Sequence, residues 1–304
     1  MAERTGAGPA QRYTLWHDAV PRPGWLNMAI DCALLERATA GESWLRLYAW
    51  SPSCLSFGRH EPAARRYDRE RIAALGLDVV RRPTGGRAVW HAGELTYAVA
   101  APATALGTLR EAYGEIHRVI RNALRTFGIP ADLAPARAAI RPDAGACFAA
   151  PAGGEVIVGD NKLVGSAQLR ENGALLQHGS ILLADDQAMV ARLTSGDAPA
   201  DHSAPLARLL GRRVSWEEAA EAVTEAAADR WGAPGERVDG CASVVHQARW
   251  RAAQFRSSAW TWDASDVGEG GTAGEATDPA DLTDASTAPS WRTAPSPHPT
   301  ALDA

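Results

Sequence analysis

Four short stretches hold the residues whose types and spacing could do chemistry. The first is Arg81-Arg82-Pro83-Thr84-Gly85-Gly86-Arg87-Ala88-Val89-Trp90-His91. Its two glycines let the backbone turn tightly and approach a ligand, and its arginines offer planar charged donors to a phosphate or a carboxylate. The same residues would also serve as a hairpin corner with solvated arginines. The second is Asp160 to Gln168, where Lys162 opens an otherwise apolar strand, as a functional ammonium or as a snorkelling one. The third is Gln177-His178-Gly179-Ser180, polar groups inside a buried-looking strand that must find partners there or line a site. The fourth is Gly145-Ala146-Cys147-Phe148. A thiol is largely neutral near its ordinary pKa of about 8.5, and a neighbouring ammonium lowers that value. Lys162 could supply the charge if the run Glu155 to Val158 doubles the chain back. Otherwise Cys147 is a small buried hydrophobe. His91 and His178 find no third ligand at a metal-binding spacing, so no metal is expected.

Composition narrows the classes. The chain has 304 residues, 46% of them hydrophobic, and a net charge of -5. No apolar run reaches the roughly 18 residues that span a bilayer. Met1 to Gln11 lacks the apolar core of a signal peptide, so a cytoplasmic protein is expected, with no membrane partner. Eight acids against Arg292 give 263–304 a charge of -7 and leave the body at about +2. That body carries no basic run or aromatic-basic interleaving of the kind that binds nucleic acid. It suits acidic protein partners. Cys32, Cys54, Cys147 and Cys241 lie far apart, with no C-x-x-C pair, which argues against a zinc site or a disulfide framework.

Periodicity supplies the elements that must position these residues. Helices are expected at Trp25 to Ala38, Tyr67 to Leu75, Leu109 to Phe127, Asp186 to Leu193, Pro205 to Leu210 and Ala242 to Phe255. Ser215 and Glu218 have the capping-box offset for another, ending near Trp231. Strands are expected at Tyr13 to Trp16, Trp44 to Trp50, up to Phe57, Asp78 to Arg81, Glu155 to Val158, Leu163 to Leu169 and Ala174 to Leu183. Ala88 to His91 and Leu95 to Ala101 read as a hairpin turning at Ala92-Gly93. The order is not a regular βαβ alternation, so the expected class is α+β, a mixed, mostly antiparallel sheet flanked by helices. Residues 1–11 read as a flexible lead-in, 12–262 as one catalytic domain and 263–304 as a disordered acidic tail.

The first three stretches, in this order and spacing, resemble the biotin/lipoate ligase and transferase superfamily, from about Gly24 to Trp262. Arg82 to Val89, Glu94-Leu95-Thr96-Tyr97 and Ala146-Cys147-Phe148 are most similar to the cysteine-dependent octanoyltransferases of lipoate assembly. The resemblance implies a biotin/lipoate ligase-like domain in which Cys147 attacks octanoyl-acyl carrier protein and forms a thioester acyl-enzyme. A lysine of a lipoyl-domain protein, a glycine cleavage H protein or a dehydrogenase E2 subunit, then takes the acyl group. Lys162 would keep Cys147 nucleophilic and orient the carbonyl, so that Lys162→Ala would slow acylation more than it weakens folding. Arg82, Thr84, Gly85, Gly86, Arg87, His91, Gly165, Ser166, Ala167, Gln168, His178 and Gly179 would surround the substrate. The loop arginines would meet an acidic carrier, and no cofactor is implied. The alternatives are an ATP-dependent lipoate–protein ligase acting through lipoyl-AMP, and a non-catalytic carrier-domain binder. Against the ligase stand Arg87, where ligases tend to have a third glycine, and Ala92-Gly93-Glu94-Leu95 after His91.

Overall fold

The computed structural model describes residues 12–135, 153–184, 187–196 and 201–263. Along the chain come β1 (Thr14–Arg22), α1 (Gly24–Thr39), β2 (Trp44–Trp50), β3 (Cys54–Phe57), α2 (Ala63–Arg66), α3 (Arg69–Ala74), β4 (Asp78–Arg81), β5 (Val89–His91) and β6 (Glu94–Pro102). Then follow α4 (Leu109–Thr126), β7 (Asp132–Leu133), β8 (Val156–Val158), β9 (Asn161–Lys162), β10 (Val164–Glu171) and β11 (Ala174–Leu182). The last part holds α5 (Ala188–Leu193), α6 (Leu206–Leu210), α7 (Trp216–Trp231), β12 (Glu236–Val238), α8 (Ala242–Arg249), α9 (Ala252–Arg256) and a π-helical turn, Ala259–Asp263.

A six-stranded sheet in the order β10-β11-β6-β2-β1-β12 forms the middle layer. It is antiparallel from β10 to β2 and parallel from β2 to β12, so the mixed, mostly antiparallel α+β expectation holds. Both faces are covered, and the period-two alternation of the strands sorts residues between two cores. Leu45, Leu47, Leu95, Tyr97 and Val99 face α4 and α7. Trp44, Tyr48, Ala98 and Ala100 face α1, α8 and α9. Two small sheets, β4-β3-β5 and β7-β8-β9, flank the main one.

The sequence expectations fail where tertiary pairing decides. The expected hairpin does not form: β5 pairs with β3, whereas β6 pairs with β2 and β11. Both edges of β6 are occupied, so no edge is left for β5 beyond the Ala92-Gly93 turn. The helix expected at Tyr67 to Leu75 begins at Arg69, capped by the Asp68 side chain on the Arg71 N–H at 2.9 Å. Ala242 to Phe255 is two helices, because the break near Trp250 lets Phe255 bury against the α1-side core. Ser215 does cap α7, but the Glu218 carboxylate pairs with Arg212 at 2.7 Å. A reciprocal capping box is found at α4 instead, between Thr108 and Glu111. The lead-in at 1–11 and nearly all of the acidic tail, 264–304, lie outside the described residues.

Candidate active site

The registers of β2, β6, β11 and β10 build the floor of a pocket. One row runs Tyr48, Thr96, Ser180, Gly165, and the next but one on the same face ends His178, Ala167. Paired residues point to one side of a sheet, and this side faces α1. Gly165 and Ala167 have almost no side chain, so the floor is open there. Met28 of α1 and Trp50, Arg82, Val89 and His91 complete the walls of the pocket.

Nearly every polar wall group is held in place. Arg82 Nη1 donates to Ser56 Oγ at 2.6 Å and Ser56 O at 3.0 Å, and Nη2 donates to Gly85 O at 3.0 Å and Arg87 O at 2.8 Å. Ser56, already accepting from Arg82, donates its hydroxyl to His91 Nε2 at 2.6 Å. That leaves His91 Nδ1–H to donate to Glu94 at 2.8 Å, with the Trp50 ring stacked on His91 at 3.9 Å. Burial holds His91 below the ordinary imidazole pKa despite Glu94. Ser180 and Thr96 also donate to Glu94 Oε1, and Trp50 Nε1–H donates to Thr96 at 2.7 Å. His178 bonds Asp31 through Nδ1 at 2.8 Å and Thr84 through Nε2 at 2.6 Å. Asp31 in turn accepts from Arg46 and Tyr48, each at 3.0 Å, and Arg46 is paired with Asp18 at 2.7 Å.

Among the expected site residues, Arg82, His91, Gly165, Ser166, Ala167, His178 and Gly179 line the pocket. Thr84, Gly85, Gly86, Arg87 and Gln168 do not. Thr84 orients His178 from behind, and the carbonyls of Gly85 and Arg87 hold the Arg82 guanidinium. Gly86 takes the turn at φ +86°. Gln168 bonds Gln177 at 2.8 Å on the opposite face of the sheet. Ser166 belongs to that face as well. It pairs with Gly179 beside Tyr97, so it contributes to the pocket through the strand rather than by a hydroxyl pointing in. A Cβ on Gly179 would lie 2.5 Å from Ser166 Oγ and 2.8 Å from the Tyr97 ring, which is why only glycine fits.

The expectation that the loop arginines meet an acidic carrier is corrected for two of them. Arg81 and Arg82 are buried. Arg81 donates to the carbonyls of Gly58, Arg59, Glu61, Trp260, Thr261 and Trp262. Only Arg87 is partly exposed. Lys162 is 1% exposed and lies at the β10 end of the sheet, with Nζ 2.6 Å from Glu155 Oε1. Lys162→Ala would thus remove the charged partner of a buried carboxylate that also accepts from Tyr113, a loss of up to about 3–5 kcal/mol, and its effect on folding is not small. Cys147 lies outside the described residues. Burial pushes the Cys32 thiol up to about 12 and that of Cys54 well above its ordinary value, so neither is a thiolate nucleophile.

Sequence reasoning missed Met28, Asp31, Tyr48, Trp50, Ser56, Glu94 and His117. Most of them sit on elements whose apolar pattern was legible but whose neighbours were not. Only Glu94, inside the run Glu94 to Tyr97 that carries the family resemblance, had a signal in the sequence.

The mixed sheet is thus covered on both faces, with a glycine loop over one face and a pocket beneath it. The model superposes on a lipoate-protein ligase A bound with ATP at a TM-score of 0.71, with 20% identity over 83% of this chain and 99% of that one. It superposes on a bipartite lipoate protein ligase of Thermoplasma acidophilum at 0.66, with 19% identity over 83% and 96%. At such identities the likeness concerns the fold. Residues 23–228 match the family model described as the lipoyl protein ligase A/B catalytic domain, and the chain belongs to that family. It is 35% identical over 260 residues to the octanoyltransferase LipM of Exiguobacterium sibiricum, covering 78% of this chain and 94% of that one. It is 40% identical over 233 residues to the octanoyltransferase LipM of Kyrpidia tusciae, covering 69% and 85%.

Proposed function

We propose that this chain is an octanoyltransferase of lipoate assembly, carrying an octanoyl group from acyl carrier protein, through a Cys147 thioester, to a lysine of a lipoyl-domain protein. The relatives named octanoyltransferases, similar over most of their length, support octanoyl transfer. The observation that carries the reading further is the state of Arg82. Its guanidinium bonds the carbonyls and hydroxyl that shape its own loop, so the loop serves as a wall of the acyl pocket rather than as a grip on phosphate.

The chemistry runs as two thioester steps. The Cys147 thiolate adds to the donor carbonyl, and collapse breaks the donor's C–S bond and expels the carrier's thiolate, which takes a proton from water. The lysine amine of the acceptor then attacks the acyl-enzyme. A C–N bond forms, the C–S bond breaks, and the amine's proton leaves with the thiolate as a thiol. Backbone N–H groups of the glycine-bearing wall are suited to the developing oxyanion. The thioester supplies the driving force, so no cofactor is required. Lys162, which pairs with Glu155, is assigned the role of keeping the Cys147 thiol nucleophilic and orienting the acyl carbonyl. The acceptors in view are a glycine cleavage H protein or a dehydrogenase E2 subunit.

Incubation with octanoyl-acyl carrier protein, without ATP, should give an octanoyl adduct in the intact mass, and Cys147→Ala should lose it. Transfer that needs free octanoate plus ATP and survives Cys147→Ala would make the chain a ligase. Carrier binding with no transfer from either donor would leave it a binder. Lys162 is best tested in the Lys162→Met, Glu155→Gln pair, which removes both charges together and should slow acylation at least tenfold in a protein that still folds.

A further inference from the structure

The pocket is a rigid box with one soft wall. His178 and His91 have both ring nitrogens bonded, and the Tyr48 hydroxyl is bonded to Asp31. Arg82 is tied to its own loop, and Ser180 and Thr96 to Glu94. Along β10 and β11, Gly165, Ala167 and Gly179 present backbone or a single methyl, and Val89 is stiff at χ1. Met28 is different. It projects from α1 with rotatable bonds and a polarisable thioether, and adapts its shape at little cost. It is fully buried, one helical turn before Asp31, in the same core cluster as Tyr48.

The pocket has a direction. Gly165 and Ala167 of β10 form one side of the floor, and Tyr48, three strands away on β2, stands at the other. An acyl chain whose carbonyl lies on the β10 side would therefore extend across β11 and β6 toward Tyr48 and Met28, which share a core cluster. We propose that Met28 is the specificity-determining residue for acyl chain length, its thioether closing the pocket behind the last carbons of the chain. This rests on the acyl-transfer reading above and names what limits its substrate.

Met28→Ala removes Cγ, Sδ and Cε, room for about two further methylenes. Competing hexanoyl, octanoyl and decanoyl thioesters of acyl carrier protein, read by intact mass, should show octanoyl preferred by the unsubstituted chain. One methylene in an apolar pocket is worth roughly tenfold or more. Met28→Ala should thus raise the decanoyl-to-octanoyl acylation ratio at least tenfold, and Met28→Phe should lower octanoyl relative to hexanoyl. Met28→Leu, of similar volume, should leave the ratios within about threefold. Thermal shifts with free hexanoate, octanoate and decanoate read the same ranking without any acyl transfer. Unchanged rankings in folded Met28→Ala and Met28→Phe, by both readouts, would overturn the role of Met28. Absence of any adduct alongside Met28-dependent thermal shifts would overturn only the acyl-enzyme.

Discussion

His117 shows how one residue's protonation can orient a chain of others. Its Nδ1 lies 2.7 Å from Gly154 O, which can only accept, so in the neutral ring Nδ1 carries the proton and Nε2 must accept from Ser166 Oγ at 2.8 Å. Ser166 has one proton to give and therefore accepts from Tyr97, whose oxygen accepts from Gln177, whose carbonyl accepts from Gln168. The chain lies behind the pocket floor and joins α4 to Gly154, seven residues past Cys147 in sequence. Burial, aided by the Lys162 charge, lowers His117 to about 4 against the opposing bond to Gly154. The sign follows from proton counting. Below pH 6.5 the unfolded chain takes up a proton that the folded chain does not, so stability falls as pH drops from 6.5 toward 4. The loss from this group is on the order of 3 kcal/mol at the acid end. Urea unfolding of the parent chain and of His117→Gln between pH 7 and 4.5 should show a flatter profile in the variant. Parallel profiles would mean that His117 is already charged in the fold. Nothing at residue scale in the sequence marks this partnership, because a histidine on a helix reads the same whether it faces water or Ser166.

The glycine loop depends on how closely β3 and its exit approach it. A Cβ on Gly58 would lie 1.8 Å from Gly86 O and 3.1 Å from Gly85 O, both backbone atoms. Gly58→Ala must therefore push the loop off the sheet, and overpacking of this kind costs about 1–3 kcal/mol. Acylation should fall more than tenfold, more than the change in Tm accounts for. Gly114, in α4, meets only the end of Arg118 at 3.7 Å. Gly114→Ala should stabilise the chain by about 0.5–1 kcal/mol, with acylation unchanged. Equal activity losses in the two variants would show that the loop's seat does not matter. The ranges of β2, β4 and α4 were legible because each alternates or repeats on its own. The partition of β5 and β6 between two sheets was not, because pairing depends on which edges other strands leave free.

Across the whole molecule, the C-terminal turn is bound back onto the middle of the chain. Arg81 gathers the carbonyls of Trp260, Thr261 and Trp262, and Trp260 Nε1–H donates to Arg81 O at 3.0 Å. Trp262 packs on Phe57 at 5.2 Å, and Arg59 lies over the Trp260 ring at 4.4 Å. A chain ending at Ser258 would leave a buried guanidinium short of acceptors and open a cavity beside Phe57. It should be at least about 3 kcal/mol less stable than a chain ending at Asp263, and slower in acylation because Arg82 follows Arg81 directly. Matching unfolding curves for the two truncations would dismiss the clasp.

The sequence by itself determined the class of fold, most of the helices and strands, and the superfamily, since glycine pairs, period-two runs and the spacing of three motifs are local or linear properties. Seven of the expected substrate-binding residues proved to line one pocket for the same reason. Only the tertiary structure decided what those residues do. It turned Arg81 and Arg82 inward onto carbonyls, paired Lys162 with Glu155, sent Ser166 to the far face of the sheet and brought Met28 into the pocket wall. A charge in a sequence has no partner until the fold supplies one. In a buried site the partner, rather than the residue type, fixes the direction of every hydrogen bond.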